Sequence, residues 1–367
     1  MRETLRETLS ALMLVPGLSG HEDRIRRAIA ARLTALGIGS RSDRLGNLIA
    51  TLDGDPEAPS VMLFAHMDQL GFVVRKIEAD GLIRIERVGG VPERALASQA
   101  FLICVGEGRD LPAVLGNKSH HATTPEEKYR VVPYAEHYLD AGLGSAEAVA
   151  AAGVKIGTPV VYMPRVLELA GERLAGTSID DRAACAVILA LAERLKNRKD
   201  LPTIHLVFTV QEEFNLRGAL PAAQTLQPDI AIQLDLILAT DTPAMASRGD
   251  VALGAGPAIS LYSFHGRGTL NGVIPHPAMV RLFETAAEAA AFPLQRSAHI
   301  GALTDLSYVQ LVGEGVASVD LGFPIRYSHS SLEVCDLGDL EALVELLAVA
   351  LPRIDKSFSL DRDAPET

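Results

Sequence analysis

Phe208-Thr209-Val210-Gln211-Glu212-Glu213 closes an apolar run that begins at Ile204-His205-Leu206-Val207. A continuous apolar run of this length reads as a strand buried on both faces, the type found in sheets covered by helices. This one ends in two adjacent carboxylates and leads into Asn215-Leu216-Arg217-Gly218. Charges at the end of a buried strand are costly unless something neutralises them. In open α/β sheets the carboxyl ends of strands are also where ligands bind. Taken alone, the pair fits a solvated strand end with two ordinary surface Glu residues better. The recurrence of the pattern decides: apolar strands also run into His66-Met67-Asp68 and into Asp235, and Asp180-Asp181 precedes an apolar helix.

Outward from this stretch, strands are expected at residues 48–52, 61–65, 203–210, 229–235, 258–262 and 316–321. Helices are expected at 2–13, 22–36, 181–195, 217–225, 277–290, 306–311 and 337–351, with Thr304 as a cap for the sixth. The alternation of strand and helix predicts an α/β fold: a mixed, mostly parallel sheet flanked by helices. Between residues 72 and 164 the texture changes to short strands at close spacing, broken by one helix at 145–152. A small β-barrel-like domain inserted into the α/β one is the reading. The expected division is an α/β domain of 1–68 and 165–367, with an inserted β domain of 69–164. The polar stretch 117–125, with His120 and His121, reads as a surface loop, and the tail 361–367 as frayed.

With 367 residues the chain is long enough for two domains and a well-buried core. The net charge of -12 argues against a nucleic-acid partner, which needs a basic face, and gives no attraction to anionic lipid. The three cysteines, Cys104, Cys185 and Cys335, are far apart and form no Cys-x-x-Cys motif, so a disulfide framework is not expected. The N-terminus lacks the apolar core of a signal peptide, and no apolar run is long enough to span a membrane. A cytoplasmic protein is the expectation.

His66 and Asp68 lie two apart on a strand end, hence on one face, so that one can hold a metal while the other orients its imidazole. A lone His in an apolar strand is more often a satisfied core residue, and the same-face Asp shifts the balance. Asp180-Asp181 opens a helix, where capping explains one Asp better than two. Asp241 reads as a turn residue, and His329 would mean nothing by itself. Together His66, Asp180, Glu213, Asp235 and His329 make a set of N and O donors suited to zinc or a similar divalent ion. Five donors exceed what one catalytic zinc with an open position takes, and they fit two ions if one carboxylate bridges. Glu212, next to the set, is placed to act as general base.

These motifs resemble the M42 family of metallo-aminopeptidases, which includes glutamyl and tetrahedral aminopeptidases. The matching pieces are Pro16-Gly17-Leu18-Ser19-Gly20-His21-Glu22, His66-Met67-Asp68-Gln69-Leu70-Gly71, Ser178-Ile179-Asp180-Asp181-Arg182, Val210-Gln211-Glu212-Glu213, Ala239-Thr240-Asp241-Thr242-Pro243, Thr304-Asp305 and Arg326-Tyr327-Ser328-His329-Ser330. They stand in the family's order and span nearly the whole chain. The resemblance implies that His66 and Asp235 hold one metal, that Glu213 and His329 hold the other, and that Asp180 bridges them. It implies a cis peptide between Asp180 and Asp181, Glu212 as general base and Asp68 as the residue that orients His66. It also implies two divalent ions per subunit (zinc first, cobalt or manganese next) and short peptide substrates. The resemblance further implies a zinc-peptidase-like fold with 1–68 and 165–367 as the catalytic domain and 69–164 as a β dimerisation domain, and a homo-oligomer built from dimers into a tetrahedral dodecamer. The chain departs from the family at Phe214-Asn215, where Val-Gly is usual, at Gln69, at Ala183-Ala184, and at Ala302-Leu303, where Gly-Gly is usual. Those changes bear on substrate choice. Rival readings keep the site for a non-peptide amide, use Glu212 in a glycosidase, or make the metals purely structural.

Overall fold

A computed structural model describes residues 1–265 and 272–363. Residues 364–367 of the expected frayed tail lie outside the described residues. The main body is a nine-stranded sheet. Its strands run in the order Ser40–Ser42, Leu48–Leu52, Ile204–Thr209, Val61–His66, Ile230–Leu238, Ala317–Ile325, Ala258–Phe264 and Gly272–Val273, with Gln295–Ile300 also paired to Ala258–Phe264. The four central strands, Ile204–Thr209 to Ala317–Ile325, are parallel; Leu48–Leu52 and Ala258–Phe264 join them antiparallel, and Gln295–Ile300 pairs parallel with Ala258–Phe264. The sheet is therefore mixed, as expected, with its parallel block at the centre.

Alternation along the strand Val61–His66 shows why this block is apolar throughout. Leu63 and Ala65 pack with Leu206, Ile232 and the helices Arg2–Met13, Ile179–Leu195 and Leu337–Ala350. Met62 and Phe64 point the other way, to the helices Ala219–Leu226 and Leu306–Val309. A strand with helices on both faces has no solvated side, so every position is buried.

Six strands, Gly71–Ile77, Ile83–Val88, Leu139–Asp140, Leu111–Leu115, Ala100–Ile103 and Pro159–Tyr162, close into a barrel. Its interior is a separate apolar cluster in which Phe101 meets Phe72 edge-on at 5.7 Å and stacks on Tyr162 at 5.0 Å. Closure removes the free edges that short strands otherwise expose.

Several expectations need correction. Asp235 does not end its strand, which runs on to Leu238 because Leu236, Ile237 and Leu238 continue to pair with Phe323, Pro324 and Ile325. Thr304 does not cap the short helix Leu306–Val309; its hydroxyl donates to Asp320 instead. Asp241 is not a bare turn residue: its carboxylate takes the Arg326 guanidinium at 2.8 and 2.6 Å. The hairpin Val166–Glu168 and Arg173–Gly176 was not anticipated. It forms a three-stranded sheet with Glu333–Asp336, and that sheet matters to the site.

Candidate metal centre and active site

The central strands deliver their last side chains to one place. Thr209 pairs with His66 in register, so the end of Ile204–Thr209 brings Glu212 and Glu213 beside the end of Val61–His66. The turn between strand and carboxylates is fixed by its neighbours. Asn47 accepts the Val210 N–H at 3.0 Å, and Glu22 accepts the Gln211 N–H at 3.1 Å. Gln211 itself is left-handed, with φ 57. Asn215, two residues past Glu213, has φ 70. Asn adopts that conformation more readily than most residues, which accounts for its standing where the family usually has Gly.

All seven predicted site residues converge. His66, Asp180 and Asp235 place ligand atoms within 4.8 Å of one another, and so do Asp180, Glu213 and His329. Asp180 belongs to both groups. Its Oδ1 lies 3.0 Å from His66 Nε2 and its Oδ2 lies 3.4 Å from His329 Nε2. The peptide between Asp180 and Asp181 is cis, as the resemblance implied. Each histidine is held by its other nitrogen: Nδ1 of His66 lies 3.2 Å from the Asp68 carbonyl, and Nδ1 of His329 lies 3.0 Å from the Gly90 carbonyl. With Nδ1–H donating to a carbonyl, Nε2 is the nitrogen left to face the carboxylates, the one a metal would take once its proton is displaced. Glu212 stands outside both groups, its Oε2 being 3.9 Å from His66 Nε2.

Asp68 does more than was expected of it. Its carboxylate lies 3.5 Å from His66 Nδ1, farther than its own carbonyl. The carboxylate oxygens instead accept the N–H groups of Glu212 at 3.0 Å and Glu213 at 3.1 Å, and the Ser19 hydroxyl. One buried Asp thus ties the loop at Ser19, the strand end at His66 and the carboxylate pair together.

Three further residues were missed by the sequence reading. Glu333 is 2% exposed, and each of its oxygens accepts one backbone N–H, from Asp180 at 3.1 Å and from His329 at 2.7 Å. Gln233 donates to Asp235 Oδ2 at 3.0 Å and accepts the Leu306 N–H at 2.6 Å. Gly90 supplies its carbonyl to His329; a Cβ there would lie 2.9 Å from His329 Nδ1, so only glycine fits. Glu333 lies three residues after Ser330, and that Ser-x-x-Glu spacing was the one available signal. The residues His120 and His121 are exposed and join neither donor group.

The electrostatics are those of a centre built around cations. Burial pushes the carboxyls of Glu213 and Asp235 up to about 7, and burial likewise raises Glu212 well above its ordinary range. Burial also opposes the charge on Asp180, but hydrogen bonds from His329 and His66 outweigh it and hold that carboxyl low. Glu213, then Asp180, raises His329. Among the described residues lining this cavity of ≈ 480 Å³ there is no Lys or Arg. Four buried carboxylates facing two imidazoles leave a deficit of positive charge that divalent ions with N and O ligands would fill. The residues present therefore fit a metal.

The same fold is found in known aminopeptidases. Aminopeptidase APDkam598 from the archaeon Desulfurococcus kamchatkensis superposes with a TM-score of 0.90 at 32% identity, over 97% of either chain. The TET1 peptidase of Pyrococcus horikoshii, which can assemble into a tetrahedron or a large octahedral shell, gives 0.83 at 28% identity, over 95% of this chain and 99% of that one. The lysyl aminopeptidase of Pyrococcus furiosus is 29% identical over 350 residues, 95% of this chain and 97% of that one. Because the model of the M42 glutamyl aminopeptidase family matches residues 46–346, the chain belongs to that family and is a hydrolase of peptide bonds.

Proposed function

We propose that this protein removes N-terminal residues from short peptides, using two divalent ions held side by side. The observation that carries the reading is the pair of donor groups sharing Asp180. His66 and Asp235 would hold one ion, Glu213 and His329 the other, and Asp180 both. Zinc suits this N and O set, with cobalt or manganese as alternatives. Bound divalent ions supply Lewis-acid chemistry, polarising a carbonyl and making water more acidic.

The chain's own residues do the rest. Glu212 stands outside both donor groups, so its carboxylate is free to take a proton from the attacking water and hand it to the leaving amine. Asp68, through the backbone N–H groups of Glu212 and Glu213, fixes where that base sits relative to the ligand beside it. Glu333 holds the backbone of Asp180 and His329 in the same manner. Hydrogen bonds from Nδ1 of each histidine to a backbone carbonyl leave its Nε2 to face an ion.

The wider reading follows the family. Residues 69–164 would form the dimer contact and 1–68 with 165–367 the catalytic unit. Dimers would assemble into a tetrahedral dodecamer in the cytoplasm. No helix among the described residues is long and apolar enough to cross a membrane.

The test is amide hydrolysis by the purified protein, loaded with zinc, cobalt or manganese, on paired free-amine and N-blocked peptides. Cleavage only of the free-amine series, abolished by chelation and restored by metal, is expected. Chelation should also lower the melting temperature, since the ions bind the folded state. Equal cleavage of blocked peptides, or full activity after metal analysis shows empty sites, would contradict the proposal.

A further inference from the structure

The cavity that holds the donor groups has a second part. Besides those groups it is lined by Leu216, Leu236, Leu238, Ala302 and Leu303, together with Gly301 and Tyr308. The leucines and Ala302 are half-buried, not solvated. Apart from the donors and Glu212, the ionisable groups on the described lining are the His265 imidazole and the Tyr308 phenol. No Lys, Arg, Asp or Glu beyond the donors and Glu212 lines it among the described residues.

Leu236 directly follows the donor Asp235, so an apolar surface begins one residue from the centre. The loop Gly301-Ala302-Leu303-Thr304 contributes the rest. Its left-handed residue is Gly301, with φ 111, whereas Leu303 has no positive φ. Leu303 thus stands in place of the family's usual glycine without backbone strain, and its isobutyl group occupies space a glycine leaves open.

We propose, resting on the aminopeptidase reading above, that this part of the cavity receives the side chain of the substrate's first residue. It selects neutral, apolar side chains of about leucine or methionine size, and Leu303 sets its depth. An acidic side chain entering it gives up hydration with no Lys or Arg on the described lining to replace the water, and a basic one finds only the carboxylates of Glu212 and of the donor groups, which bound ions would neutralise. An aliphatic one is desolvated favourably, against apolar walls. A missing or extra methylene in such a pocket changes kcat/KM by roughly 10–200-fold, so alanyl substrates should trail leucyl ones.

The test uses the full-length, metal-loaded protein and a panel of aminoacyl p-nitroanilides. Leucyl and methionyl substrates should exceed alanyl, glutamyl and lysyl ones at least ~10-fold in kcat/KM. In Leu303→Gly the preference should move toward phenylalanyl, and in Leu303→Arg the glutamyl-to-leucyl ratio should rise ~10-fold or more. Metal content and melting temperature of both variants accompany the kinetics, and the wild-type panel stands without them. A wild type that prefers glutamyl or lysyl substrates, or none, overturns the inference. Leucine, glutamate and lysine hydroxamates, ranked by the thermal shift each causes, separate the two readings. If no amide is cleaved yet the leucine derivative stabilises most, the pocket inference holds and the aminopeptidase reading falls. If the three shift equally and nothing is cleaved, both fall.

Discussion

The α/β body and the barrel treat buried charge in opposite ways. In the α/β body, His66, Asp68, Asp180, Asp181, Asp235, Asp305, Asp320 and Glu333 are all buried. The barrel's interior is instead an apolar and aromatic cluster from Leu70 to Tyr162, and its ion pairs, such as Arg84 with Glu78, lie at the surface. Apolar burial supplies stability without chemistry. Buried carboxylates oppose stability, so a fold that concentrates them keeps them for work that needs them. The barrel touches that work through one loop, where a Cβ on Gly89 would come 3.3 Å from Glu213 Oε2 and one on Gly90 2.9 Å from His329 Nδ1.

The sharpest way to break the contrast is at that loop. Gly90→Ala should push His329 aside and lower kcat/KM by ~10²-fold, as misplacement of about 1 Å does. The apolar barrel core is untouched, so the melting temperature of metal-free protein should hardly change. A fall in that temperature with unchanged kinetics would show that the loop serves the barrel and not the centre.

Next in size is Glu333→Gln. An amide keeps the shape but has one acceptor oxygen, so it satisfies either the Asp180 N–H or the His329 N–H, not both. Metal affinity should weaken ~10–100-fold, the usual effect of removing a group that orients ligands. Calorimetric titration with zinc checks this. Unchanged affinity would reduce Glu333 to a structural carboxylate.

The smallest effect concerns stability alone. Asp320 lies behind the site, and burial, with Asp235 adding repulsion and Thr304 opposing it, raises its carboxyl to about 8. A carboxyl raised above its unfolded value, about 3.9, stabilises fully below that pH and loses the contribution as pH rises through about 8. Asp320→Asn does not titrate. The variant should melt a few degrees above wild type at pH 9, and the gap should close near pH 4. A gap independent of pH would mean that the change acts through packing.

The sequence made the central sheet readable because its strands are buried on both faces and carry an unbroken apolar signal. It also marked the donors, since charged residues after such runs stand out. Glu333 was not readable as a site residue. It sits on a strand of four residues, and its hydrogen bond with Asp180 crosses 153 positions. Gly90 contributes through a carbonyl, which every residue has. The run of Asp235 past the presumed strand end depends on pairing with Phe323 to Ile325, a contact made only in the folded chain.

The central claim is that adjacent glutamates divide the labour, Glu213 holding metal and Glu212 moving a proton. Metal content and turnover of Glu212→Gln and Glu213→Gln, measured under one condition, test it directly. Glu212→Gln should keep its metal and fold and lose turnover ~10²–10⁴-fold or more. Glu213→Gln should lose metal and turnover together. Loss of metal from Glu212→Gln while Glu213→Gln stays loaded, or wild-type turnover in Glu212→Gln, would contradict the account.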